Sequence, residues 1–442
     1  MTNPTEKNLK LHNLWQIFLM VAIPLICASG ISAIPYKLRV PLIYATGIGS
    51  VIIFIFSNKK IKLNAVNVSM FLLLGYLAIQ LLYSYDPKAT LNLLAIYTCA
   101  FTLLFIDAEE NTLHKIRTIM YVFCLVIAIS IIISVPIYNC MLTYFKFIVN
   151  PSSSPAISES IINELSIGSY SGFAREKGEA AFIMNIGLAI TFSNYFGKNK
   201  LCKKDALSLI IFLSALILTG KRMMFVIPII CFVVFMAFSK VKNKAMKTSS
   251  IILLAIVALF FILMFMPNFA NVFHRFMDAD NMATLGSRDS LWKYMSMMVS
   301  QFFLFGAGFG SYNSFAYDNG LRVYDERWNY NGHNSYYQAF AELGLVGSCL
   351  FIAFILSALF ITFKYIKSDK FSNSQRQILF FAFYIQIMIT VYAITGNPIY
   401  TNQMIFSLFF ATGATLCIGN QVYNKPKTIS WEHSLWTKKS VF

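Results

Sequence analysis

Long apolar runs, separated by short polar and charged connections, alternate along nearly the whole chain. Windows long enough to cross hydrocarbon fall at Leu14–Ile34, Val40–Phe56, Val66–Ser84, Ala89–Ile106, Thr118–Tyr138 and Gly178–Phe196. They continue at Ala206–Gly220, Met223–Phe238, Ser249–Met266, Asn334–Phe363, Ile378–Thr395 and Ile399–Ile418. Within hydrocarbon each backbone polar group must be satisfied by its own segment, so such runs predict helices and not open strands. The expected fold is an all-α polytopic membrane protein of about 12 transmembrane helices. Residues 1–266 hold the first nine, and 333–442 hold the last three with a polar tail.

Residues 267–332 interrupt the pattern with a long polar loop. Inside it, Gly286–Phe305 changes period: Leu291, Met295, Met298 and Phe302 recur at helical spacing, joined by Trp292, Val299 and Phe303. This predicts an amphipathic helix lying on the membrane surface or against the bundle. Gly306-Ala307-Gly308-Phe309-Gly310 ends it. No strand precedes that glycine run and no Gly-Lys-Ser/Thr follows, so it predicts a turn and not a phosphate loop.

Composition agrees: 57% of residues are hydrophobic, 12% are charged, and the mean hydropathy is +0.63. Charge then orients the chain. With the N-terminus in the cytoplasm, 23 of the 36 Lys and Arg fall on the cytoplasmic side, with 7 of the 19 acidic residues. This is the positive-inside pattern, and it accounts for nearly all of the net charge of +17. Lys59-Lys60 and Lys203-Lys204 are then membrane anchors, and no nucleic-acid partner is expected. Both termini lie in the cytoplasm, while Asn139–Lys177 and the 267–332 loop lie outside. The first apolar run is too long for a cleavable leader and is expected to stay as a helix. The 8 cysteines form no CxxC, so no disulfide framework or structural metal site is indicated.

Candidate chemistry concentrates where the loop returns to the bundle. His333, in Gly332-His333-Asn334-Ser335-Tyr336, stands at the mouth of a span, and a neutral imidazole there can accept a proton near neutral pH. Tyr312, Tyr324, Trp328 and Tyr330 precede it and offer ring faces for stacking. Lys221-Arg222 interrupts an apolar stretch and sits recessed in the membrane. Lys221 is expected to snorkel to headgroups, while Arg222 suits a bidentate grip on phosphate. Arg288 heads the amphipathic helix. Arg175 precedes another span, with acidic neighbours able to neutralise it. Asp278-Ala279-Asp280 has the spacing of a metal-binding pair but is read as incidental. Glu342, roughly half a turn out of phase with His333, is expected to be a buried hydrogen-bonding anchor on the face of Asn334 and Gln338.

Four features in this order resemble the O-antigen ligase/polymerase superfamily of bacterial envelope enzymes. They are Thr219-Gly220-Lys221-Arg222, Gly286-Ser287-Arg288-Asp289-Ser290-Leu291-Trp292, Leu304-Phe305-Gly306-Ala307-Gly308-Phe309-Gly310, and the His333–Gly344 run. The resemblance covers mainly Ala206–Phe363; the N-terminal spans match only in general character. It implies a multi-pass enzyme of the bacterial inner membrane that transfers glycan from an undecaprenyl-pyrophosphate carrier to an acceptor hydroxyl on the outer face. No nucleotide sugar, cofactor or metal is implied. His333 matches the family's catalytic histidine, Arg222 its arginine at the outer end of a span, and Arg288 its loop arginine; Arg175 matches a basic position more loosely. Lys221 stands where members often carry serine.

The form of the His333-Asn334-Ser335-Tyr336 run resembles a polymerase of lipid-linked repeat units, with a chain-length regulator as protein partner. The alternative is O-antigen ligase, which transfers the polymer to lipid A core. A lipid-linked oligosaccharide flippase is a third reading, and it would tolerate loss of His333.

Overall fold

The computed structural model describes residues 4–29, 36–56, 63–144, 169–239, 288–321 and 332–423. Among these it is all helical. The N-terminal helices are α1 (Pro4–Ala28), α2 (Tyr36–Phe56), α3 (Ala65–Gln80), α4 (Pro87–Phe101), extended by a 3-10 turn at Thr102–Phe105, and α5 (Glu110–Tyr144). Then come α6 (Lys177–Lys198), α7 (Lys203–Leu218) and α8 (Arg222–Phe238). The loop contributes α9 (Arg288–Phe302) and α10 (Tyr312–Asp318), and the chain closes with α11 (Ser335–Lys367), α12 (Asn373–Tyr392) and α13 (Asn402–Tyr423).

Each expected span coincides with a helix except Ser249–Met266, which lies outside the described residues. Asp278, Asp280, Tyr324, Trp328 and Tyr330 also lie outside them. Of the described helices, 5 are long and apolar enough to cross a membrane on length and composition, and several shorter apolar helices accompany them. Their burial sorts them into layers. The apolar windows of α6 and α13 are 94% and 83% buried, against 39% for α5 and α11. A helix apolar all round and covered all round is a core helix, and α6 and α12 pack against each other at the centre. On the outer helices the exposed residues are themselves apolar: Ile17, Val21, Ile52, Phe71, Val122, Val126, Ile229, Val233, Leu356 and Phe360. Such a belt is unfavourable in water and expected against acyl chains. The protein is a multi-pass helical membrane protein.

The loop packs on this bundle. Met295 and Met298 of α9 are fully buried, with Trp292, Val299 and Phe302 beside them, in a second apolar cluster with Tyr312 and Phe315 of α10 and Ala341 of α11. The face predicted from spacing is the one buried, and it rests against protein. Phe303 falls past the helix end and is exposed.

The expected continuous span Asn334–Phe363 is not continuous. Gly344 stands at φ 66, ψ −172 and breaks α11 into a short helix before it and a long one after it. Residues 345–367 alone still reach about 34 Å, enough to cross hydrocarbon. The glycine turn after α9 enters the break. Leu345 N–H and Val346 N–H donate to the carbonyls of Phe303 and Leu304, while Gly308 N–H donates to the Glu342 carbonyl at 2.9 Å. Tyr76 on α3 donates to the carbonyls of Phe305 and Leu343, and Gln80 to those of Phe305 and Glu342. Backbone lies on backbone, which only glycine permits: a Cβ on Gly306 would stand 2.1 Å from the Glu342 carbonyl oxygen.

Candidate functional site

The segment that carries His333 is held from both sides. Before it, Gly332 N–H donates to Gln338 Oε1 at 2.9 Å, and the Gly332 carbonyl accepts Trp292 Nε1–H at 3.0 Å. After it, Asn334 caps α11 by accepting Tyr337 N–H at 3.0 Å. Ser335 N–H donates to the carbonyls of Ala393 and Gly396 just beyond α12, and its hydroxyl donates to Gly396 again. Between these anchors His333 adopts φ 51, a left-handed backbone uncommon outside glycine and persistent only where neighbours enforce it. Its neighbours Gly332, Asn334 and Ser335 are buried or half-buried, yet His333 itself is exposed.

The same hydrogen bond brings α9 to the site. Trp292 touches Gly332, and Arg288 is one turn earlier on the same face. Arg288 opens α9 and is half-buried. Partial loss of hydration, and then the positive charges of Arg288 and Lys221, hold the His333 pKa below its ordinary value, with Glu176 acting in the opposite sense. The shift favours the neutral ring, the form that can accept a proton.

Lys221 and Arg222 follow a tight turn. Gly220, at φ 66, lets α7 end and α8 begin, and a Cβ there would meet the Ser169 hydroxyl at 2.7 Å. Residues 169–176 cross this turn, tied by Tyr170 N–H to the Leu218 carbonyl at 2.9 Å. Lys221 packs back over the start of α6: its Nζ lies 3.7 Å, and Glu176 Oε1 3.5 Å, from where a Cβ on Gly178 would stand. Its charge also acts on His333. Arg222 is the first residue of α8 and half-buried.

Arg175 donates to Glu179 at 2.7 Å and lies 3.9 Å from Glu176. Glu179 is buried, so this pair is in good part a fixture of the start of α6, as its acidic neighbours foreshadowed.

Tyr312 departs from expectation. It is fully buried, its hydroxyl donates to the Leu291 carbonyl at 2.9 Å, and its ring packs inside the α9–α10 cluster. It has no face to offer a sugar. The aromatic-rich sequence concealed this because a Tyr with a satisfied hydroxyl is as suited to a core as to a binding surface.

The fold is that of a multi-pass helical membrane protein, and it sets a left-handed histidine, with two cations in electrostatic reach, at the foot of a loop docked on the bundle. Residues 207–352 match the family model described as O-antigen ligase, consistent with the O-antigen ligase/polymerase superfamily. The match falls on the stretch whose four ordered motifs carry the resemblance, and it supports a glycosyltransferase-like enzyme acting on lipid-linked glycan. No curated protein matches the chain.

Proposed function

We propose that this protein is a polysaccharide polymerase of the O-antigen type, which joins undecaprenyl-pyrophosphate-linked oligosaccharide units at the outer face of the bacterial inner membrane. The observation that carries the reading is the backbone-clamped His333, with Arg288 and Lys221 acting to lower its pKa. The acceptor hydroxyl attacks C1 of the donor sugar, and its proton passes to the His333 imidazole. The bond from C1 to the pyrophosphate oxygen breaks, and its electron pair leaves with the pyrophosphate. That developing charge needs fixed cations in a poorly hydrated site. Arg288 and Arg222 supply guanidinium groups, and Lys221 adds a third cation. Arg175, paired with Glu179 at the start of α6, is a further candidate for holding the donor. The excess of basic residues on the opposite side of the membrane supports an outward-facing site. Transfer to lipid A core is the second reading, favoured by the description of the matching family model as O-antigen ligase. Polymer on the lipid carrier, as against polymer on lipid A, separates the two when purified protein is given lipid-linked repeat units with and without core acceptor.

Arg222→Lys tests the grip on phosphate. Lysine keeps the charge and loses the planar fork, so turnover on lipid-linked substrate is expected to fall about 10-fold or more, the loss of one charged hydrogen bond of about 1.5–3 kcal/mol. Normal insertion with wild-type turnover would remove Arg222 from the site.

Metal is addressed separately. The double substitution of Asp278 and Asp280 by alanine is expected to retain most activity, and EDTA to leave the purified enzyme unaffected. Loss in both experiments, restored by a divalent ion, would replace this mechanism with a metal-assisted one.

A further inference from the structure

Glu342 is the acidic side chain of α11 that the chemistry above leaves unused. It is fully buried, and four donors end on its carboxylate. Gly310 N–H and the Tyr400 hydroxyl reach Oε2 at 2.7 and 2.6 Å, and Tyr312 N–H and Gln338 Nε2 reach Oε1 at 3.0 and 3.1 Å. An ionised carboxylate has about four lone-pair sites, all taken here. Two of the donors are backbone amides that cannot reverse their role, one on each oxygen, so both oxygens of the side chain must act as acceptors here.

The carboxylate thereby decides which way the Gln338 amide points. Its NH2 end faces Glu342, and its Oε1 must face the other way. There it accepts Gly332 N–H at 2.9 Å and Asn397 Nδ2–H at 2.7 Å. Gly332 is the residue before His333. A continuous path of hydrogen bonds thus leads from a buried acid, through one amide, to the N–H of Gly332, the residue before the left-handed His333. Were the Gln338 amide reversed, its NH2 would face two other donors and the grip on Gly332 would be lost.

We propose that Glu342 is a positioning residue for His333, acting through Gln338 and Gly332, and that it carries no proton in the reaction. This rests on the reading of His333 as general base. The test is steady-state kinetics of purified Glu342→Gln on lipid-linked oligosaccharide, normalised to correctly folded protein. A glutamine cannot accept from all four donors, so one backbone amide of the glycine turn or the Gln338 orientation must give way. The expected result is kcat reduced about 10- to 100-fold, the scale of a displaced catalytic group, with the donor KM within about twofold of wild type. An unchanged kcat per folded molecule would overturn the proposal.

Should Glu342→Gln fail to fold, Gln338→Ala removes the same path while leaving the carboxylate in place, and the same fall in kcat is expected of it. The double variant His333→Ala with Glu342→Gln (or with Gln338→Ala) is expected to be no slower than His333→Ala alone. A multiplied loss would mean that Glu342 supports the fold and not His333. If His333→Ala by itself is fully active, the general-base reading has failed, an outcome distinct from an active wild type whose kcat ignores Glu342.

Discussion

Replacing His333 by alanine is expected to lower turnover by about 10²–10⁴-fold while donor binding persists, the usual cost of a lost general base. The geometry supports this over a capping role, because Asn334 and not His333 caps α11. A pH profile gives the independent measurement. The neutral ring is the active form, so activity should fall as pH drops through the folded-state pKa of His333. Lost hydration and the charges of Arg288 and Lys221 lower that pKa, so the acid limb should lie below the value of about 6.5 of a free imidazole. Removing the Arg288 charge as Arg288→Gln should move the limb of the residual activity upward. Ordinary activity of His333→Ala on purified substrate would end this assignment.

The second large effect is structural. Gly306→Ala is expected to destabilise the protein by more than about 4 kcal/mol or to prevent its recovery as a monodisperse species. The new Cβ would meet the Glu342 carbonyl oxygen at 2.1 Å and Gly344 N at 2.4 Å, both backbone atoms unable to swing aside. The left-handed φ of 68 adds a further strain of about 1 kcal/mol for any side chain. Gly75→Ala on α3 is the matched control: a Cβ there meets nothing within 4 Å, so a small gain of helix stability is expected. Thermal unfolding in detergent compares the two. Equal midpoints for Gly306→Ala and wild type would show that the docked turn is not what the break in α11 requires.

These two positions also mark what the sequence makes legible. The spans were readable because hydrocarbon imposes a length and a composition on each of them separately. The buried face of α9 was readable because Leu291, Met295 and Met298 repeat at the helical period. His333 stood out as a titratable group at the edge of an apolar helix. The socket at Gly344 was not readable: its partners are backbone carbonyls and amides, which every residue carries, and the only written trace is glycine. Glu342 was readable as a buried anchor, but two of its four donors are main-chain amides of the loop and leave no motif. The approach of Lys221 to Gly178 joins residues on different helices, more than forty positions apart in sequence. Pairings of that kind are a property of the fold, and local pattern does not encode them.

The four donors around Glu342 also have an order in time. During synthesis Gly310, Tyr312 and Gln338 leave the ribosome before Glu342 does, and only Tyr400 follows it. The charged group that would make α11 costly to release into lipid therefore meets most of its covering from chain already made. The loop ahead of α11 is thus expected to act on its own successor as an intramolecular escort, with the last hydroxyl supplied by the 398–400 turn beyond α12.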